Sequence, residues 1–166
     1  MKLRSPRATA AGENPRVATA GRVPLTTAPP GRLLAELRVP SDGRLARDVR
    51  GFTREQLLSL GAADHTIDDA VLLATELFSN AVRHAPGAAV GLRLTYDPGR
   101  RTCTVFVDDT SHLPPAPGRL PATAQESGRG LAVVAELAHA WGWHPTASGK
   151  SVWFSTRIHP DHSDLV

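Results

Sequence analysis

The sequence predicts an α/β (α+β) fold of two layers: a mixed, mainly antiparallel sheet with helices packed on one face. Three observations carry this. Two pairs of short strand-like segments, Ala88 to Tyr96 with Thr102 to Asp108 and Trp141 to His144 with Ser151 to Ile158, each follow one another across a few turn-forming residues. Helical patterns with one apolar face lie before and between these pairs, so the chain does not alternate single strands and helices as a doubly wound parallel sheet does. The 166 residues, 41% of them hydrophobic, suffice for one ordinary core and not for two large ones.

In chain order, residues 1–32 carry Pro6, Pro15, Pro24, Pro29 and Pro30 with no helical or strand period. They read as a disordered tail, because such chain buries too little apolar surface to offset its ordering entropy. Leu33, Ala35, Leu37 and Val39 then fall on one side of an extended segment that Pro40 ends. Ser41 or Asp42 can cap a helix reaching about Leu60, with Leu45, Val49, Phe52 and Leu57 as its apolar stripe; Gly51 leaves two shorter helices as the alternative, and Gly61 stops the pattern. A stronger helix begins at Asp68 and Asp69 and runs to Pro86, burying Val71, Leu72, Leu77, Phe78, Ala81 and Val82. Asp97-Pro98-Gly99-Arg100 has the composition of a tight turn between two strands, and the Pro-rich stretch from Ser111 to Pro121 reads as a loop. Gly130 opens a third helix containing Leu131, Val133, Val134, Leu137 and Ala138, and Gly149-Lys150 reads as the turn of the last hairpin. The ordered domain is expected to span 33–158, with a short tail at 159–166.

Composition narrows the functional classes. The net charge of +3 is uneven: residues 1–32 carry net +5 and residues 33–166 net −2, so the basic excess belongs to the tail and a nucleic-acid-binding domain is disfavoured. The single Cys103 excludes a disulfide framework and a four-thiolate zinc site, which fits a reducing cytoplasm. No apolar run approaches the roughly 20 residues of a membrane helix, so no membrane association is expected. The His residues give no His-Glu-x-x-His pattern, and Ser148-Gly149-Lys150-Ser151 is not a P-loop, since His144 stands where the first glycine is required and a strand follows where a helix should.

Four features can carry chemistry. Glu76 and Asn80 lie four residues apart on one side of the second helix, with Arg83 and His84 one turn further. A carboxylate there can act as a base, and the amide oxygen of Asn80 is a hard ligand suited to Mg²⁺. The apolar run Val105-Phe106-Val107 ends in Asp108-Asp109, either of which can accept a hydrogen bond from an exocyclic amine. Glu126-Ser127-Gly128-Arg129-Gly130 precedes the third helix, where two glycines and free backbone amides suit an anion and Arg129 can add a charge. Ser151 either points back toward a site or pairs across the sheet.

In this order the features resemble the Bergerat ATP-binding fold shared by sensor histidine kinases, the Hsp90 chaperone, DNA gyrase and mismatch-repair ATPases, and above all its stand-alone bacterial branch of anti-sigma-factor serine/threonine kinases. The run from Glu76 through Asn80 to Arg83-His84 is similar to the family's N-box, and Gly149-Lys150-Ser151-Val152-Trp153-Phe154 is typical of the stand-alone kinases. The resemblance implies that Asn80 binds Mg²⁺, Glu76 is the general base, Asp109 rather than Asp108 binds the adenine amine, and Ser151 supports the adenine. It further implies that Gly128, Arg129 and Gly130 meet the phosphates, with Arg83 beside the nucleotide. Ser111 and Leu113 stand where relatives carry glycines after that Asp. The implied activity is phosphoryl transfer from ATP to a Ser or Thr of a small anti-sigma-factor antagonist by a protein that also holds a sigma factor and forms a homodimer. The alternative is an ATP-binding regulator with little or no kinase activity.

Overall fold

The computed structural model describes residues 25–115 and 130–159. Five strands, β1 (Arg32–Pro40), β2 (Ala89–Asp97), β3 (Thr102–Asp109), β4 (Ala140–Thr146) and β5 (Gly149–Arg157), form one sheet in the order β1-β2-β3-β5-β4. All four neighbouring pairs are antiparallel, and the parallel component is an isolated bridge between Leu25 and Trp143. Helices α1 (Ala46–Ser59), α2 (Asp64–His84) and α3 (Gly130–Leu137) complete the described elements, giving the expected layers.

Strand alternation divides the sheet into two different faces. Leu92 and Leu94 of β2, Cys103, Val105 and Val107 of β3 and Val152 and Phe154 of β5 point toward the helices. Against them α2 sets Ile67, Ala70, Ala74, Leu77, Phe78 and Ala81, a spacing of three and four that forms one continuous buried face. Each fully buried large aliphatic or aromatic side chain there contributes about 1.5–3 kcal/mol, so this seam is the main source of stability. Burial also pushes the Cys103 thiol up to about 12 from 9.0.

Several boundaries differ from expectation. α1 runs unbroken through Gly51, where a Cβ would meet open space, and a single 3-10 turn (Gly43–Leu45) precedes it with the Asp42 carboxylate accepting from the Arg44 amide at 2.9 Å. α2 begins four residues earlier than the Asp68-Asp69 pair suggested, because Ile67 and Thr66 are buried in its first turn and tertiary packing extends the helix. The last hairpin turns at Ala147-Ser148, so Gly149 and Lys150 belong to β5. Gly149 is needed there by close approach: a Cβ would run into the Asp109 carbonyl oxygen and the Thr110 backbone.

The expected tail boundary also moves. Residues 25–31 cross the face of the sheet opposite the helices. Thr26 N–H donates to the Trp143 carbonyl at 3.1 Å, Trp153 Nε1 donates to the Thr26 carbonyl at 3.2 Å, and a Cβ on Gly31 would lie 2.8 Å from Thr95 Oγ1. Six steps of extended chain reach about 20 Å, enough to cross diagonally the three strand spacings of about 4.8 Å from β2 to β4. The strap explains why Trp153 is buried on a face that carries no described helix. The expectations for 1–24, for 116–121 of the loop and for 160–166 lie outside the described residues.

Two outcomes follow. Trp153→Phe removes the hydrogen bond to Thr26 and replaces the buried indole with a smaller phenyl ring, so unfolding in urea should show a loss of about 1–3 kcal/mol, with faster proteolytic cleavage in the strap. Cys103 should resist alkylation at pH 8 in the folded protein and react once it is unfolded. Because its folded pKa lies above the unfolded one, the stability it contributes is complete below pH 9 and declines as pH rises toward about 12.

Candidate nucleotide site

One face of the C-terminal half of α2 presents Leu77, Asn80, Ala81 and His84, at spacings of three and four, to an open cleft. The ends of β3 and β5 supply the floor through Val107 and Asp109 on one strand and Lys150 and Val152 on the other. Ser111, Leu113, Pro114 and Pro115 of the following loop and Leu131 of α3 close its sides. The result is a mostly apolar cleft with a few polar groups at defined points, the usual form of a small-molecule site.

Asp109 and Asp108 have opposite surroundings because they are consecutive on one strand. Asp108 faces the strap side, where Arg93 Nε donates to its Oδ2 at 2.9 Å and the Arg93 guanidinium stacks 4.4 Å from the Phe106 ring centre. Asp109 faces the cleft. Its Oδ1 accepts from the Ser111 amide at 2.8 Å and from Lys150 Nζ at 3.0 Å, and the two charged side chains are 2% and 4% exposed. An ion pair this deep offsets a large desolvation cost, and its net value over an apolar pair is small; removing one partner is what is costly. Lys150 was not expected at the site at all. The signal was present in the antiparallel register, which sets Lys150 opposite Asp109 and Val152 opposite Val107.

The same alternation sets Ser151 on the other face of the sheet. With Lys150 and Val152 turned to the cleft, Ser151 is turned to the strap side, between Asp108 on β3 and His144 on β4. Its Oγ and His144 Nδ1 are buried there without a hydrogen-bond partner. Ser151 therefore does not line the cleft in which it was expected to support a base.

The remaining expected residues are spread around the cleft. Asn80 lines it, and its Oδ1 accepts from Arg83 Nη1 at 3.2 Å, while Arg83 itself is exposed and lies outside the lining. Glu76 is half-buried one turn before Asn80 and lies against the start of α3, where a Cβ on Gly130 would sit 2.5 Å from Glu76 Oε2. Gly130 thus permits the close approach of α3 to α2. Gly128 and Arg129 lie outside the described residues. Among the described residues no group of three or more His, Cys, Asp or Glu could hold a metal ion. The donor at hand is the amide oxygen of Asn80, which suits Mg²⁺ held mainly by phosphate oxygens and water.

This arrangement defines a domain of the Bergerat ATP-binding type, and the chain belongs to the family described as the histidine kinase-like ATPase domain, which it matches over residues 39–156. No curated protein matches it. Among solved structures it is similar to the RsbU and RsbW domains of Rv1364c from Mycobacterium tuberculosis, with a TM-score of 0.53 and 22% identity. The likeness covers 75% of this chain and 33% of that one, so the chain spans about a third of that protein's length and shares its fold over that stretch. Among the described residues no helix is long and apolar enough to cross a membrane.

Replacing Lys150 with Met leaves Asp109 buried without its counter-ion, and chemical denaturation should register a loss of about 3–5 kcal/mol. Adding Asp109→Asn to that variant should recover much of the loss, because no uncompensated charge then remains.

Proposed function

We propose that the domain binds ATP with Mg²⁺ in this cleft and transfers the γ-phosphoryl group to a Ser or Thr hydroxyl of a small anti-sigma-factor antagonist. The observation that supports this reading above all is the meeting of Asn80 and Asp109, from elements distant in sequence, on one apolar-walled cleft. Asp109 accepts from the exocyclic amine of adenine, while Val107, Val152 and Leu131 exclude water from the faces of the ring. Asn80 holds the Mg²⁺, which when bound neutralises phosphate charge. The backbone around Gly128 and Gly130, with Arg129 and Arg83, meets the phosphates. Glu76 takes the proton from the attacking hydroxyl, so that positioning and charge stabilisation carry the transfer.

A phosphate on the antagonist adds about −1.5 to −2 charge and weakens its complex with the kinase. The kinase is then free to hold a sigma factor, so two partners compete for one homodimeric regulator in the cytoplasm. A second reading has one observation in its favour: Glu76 packs against Gly130 and lies outside the cleft lining. A domain that kept that arrangement with ATP bound would switch partners through nucleotide occupancy alone.

Incubation of the protein with labelled ATP, Mg²⁺ and antagonists encoded nearby tests the first reading. Phosphoserine or phosphothreonine should form on one of them. Glu76→Gln should reduce that transfer by at least about a hundredfold while changing nucleotide affinity less than about threefold. Transfer undiminished by the substitution would remove Glu76 from the base role, and no ATP binding at all would remove the site.

A further inference from the structure

Lys150 is a buried cation in the cleft that the phosphoryl-transfer reading leaves without a task. Its ammonium has three N–H donors, of which Asp109 Oδ1 takes one at 3.0 Å, and the side chain is 4% exposed. Donors buried without acceptors are unfavourable, so the remaining N–H groups call for an acceptor within the cleft. On the other side of the pair, Oδ1 of Asp109 already accepts from Ser111 N–H and from Lys150, and neither bond uses Oδ2.

The acceptor that completes this arrangement is a neutral one. A phosphate would meet the Asp109 carboxylate 3.0 Å from the ammonium, and the carboxylate both neutralises Lys150 and repels a second anion. What the pair offers is an acceptor, Oδ2, beside a donor, Nζ. Adenine presents the complement: an exocyclic amine that donates, flanked by ring nitrogens that accept. The backbone fixes the spacing, since Asp109 and Lys150 are directly paired in the β3–β5 ladder.

We propose that Lys150 reads the purine base jointly with Asp109, donating to a ring nitrogen beside the amine while Asp109 accepts from the amine. The proposal rests on the nucleotide reading of the cleft and deepens it. Lys150 is then a base-specificity residue, and its ion pair holds both groups in place before the ligand arrives.

The test measures equilibrium binding of ADP, 1-deaza-ADP and 7-deaza-ADP to the full chain with Mg²⁺, by calorimetry. Each analogue lacks one of the two flanking ring nitrogens. One of them should bind about tenfold to a hundredfold more weakly than ADP. In Lys150→Met that difference should disappear; where that variant does not fold, Asp109→Asn, which retains Lys150, should keep the difference at lower overall affinity and Asp109→Asn/Lys150→Met should lose it. Equal binding of all three ligands by the natural chain overturns the proposal, as does a deficit of the same size in Asp109→Asn and in the double variant. Failure of ADP and ATP to bind the natural chain would instead defeat the nucleotide reading beneath it, so the two failures are distinct.

Discussion

The pairing of Asp109 with Lys150 is the constraint on which the arrangement of the site depends. It joins the ends of two neighbouring strands by a buried ion pair, and it fixes which residues of each strand face the helices. A slip of one residue between β3 and β5 would turn Ser151 to the cleft and Lys150 to the strap side, leaving the buried Asp109 carboxylate without its counter-ion. Such a register would bury an unpaired charge, which is among the most costly errors a fold can make. Gly149 acts in the same direction, because only a residue without a side chain fits against the Asp109–Thr110 backbone.

That register divides chemistry between the two faces of one sheet. Toward the helices, Val105, Val107, Val152 and Phe154 continue the apolar core up to the point where Asp109 and Lys150 begin the cleft. On the opposite face, Arg93, Asp108, Phe106 and Trp153 are held together by an ion pair, a cation–π contact and the strap's backbone. The faces share strands but not surroundings: one carries the cleft and the other secures the N-terminal segment. An antiparallel sheet commonly leaves one face to water, and here Leu25 to Gly31 cover part of it.

What was legible in the sequence follows from the same physics. α2 could be read because its apolar spacing is dense, and the strand pairs because turn residues separate alternating runs; its start was missed because Ile67 is drawn into the helix by packing that no local signal records. The site was legible where one element carries it, as with Asn80 on its helix face and Asp109 at its strand end. It was illegible where the position depends on pairing between strands. Lys150 sits in a Gly-Lys-Ser run that resembles a turn, and only the β3–β5 register turns it toward Asp109 and Ser151 away from it. The strap was hidden for a related reason: its Pro-rich composition lacks any period, and its order comes from a tryptophan more than a hundred residues later in the chain.

The position of Glu76 links the nucleotide cleft to the helix that closes it. Its carboxylate lies against the first residue of α3, at a place where α3 can come close only because Gly130 has no side chain. α3 also contributes Leu131 to the cleft wall, so a displacement of this short helix changes the cleft and the surroundings of Glu76 together. α3 packs mainly on α2, with only Leu131 and Val134 buried, whereas α2 is anchored along most of its length. α3 is therefore the less firmly held of the two. The Glu76 carboxylate sits at the junction of a well-anchored helix and a less firmly held one, and its surroundings depend on how closely the two pack.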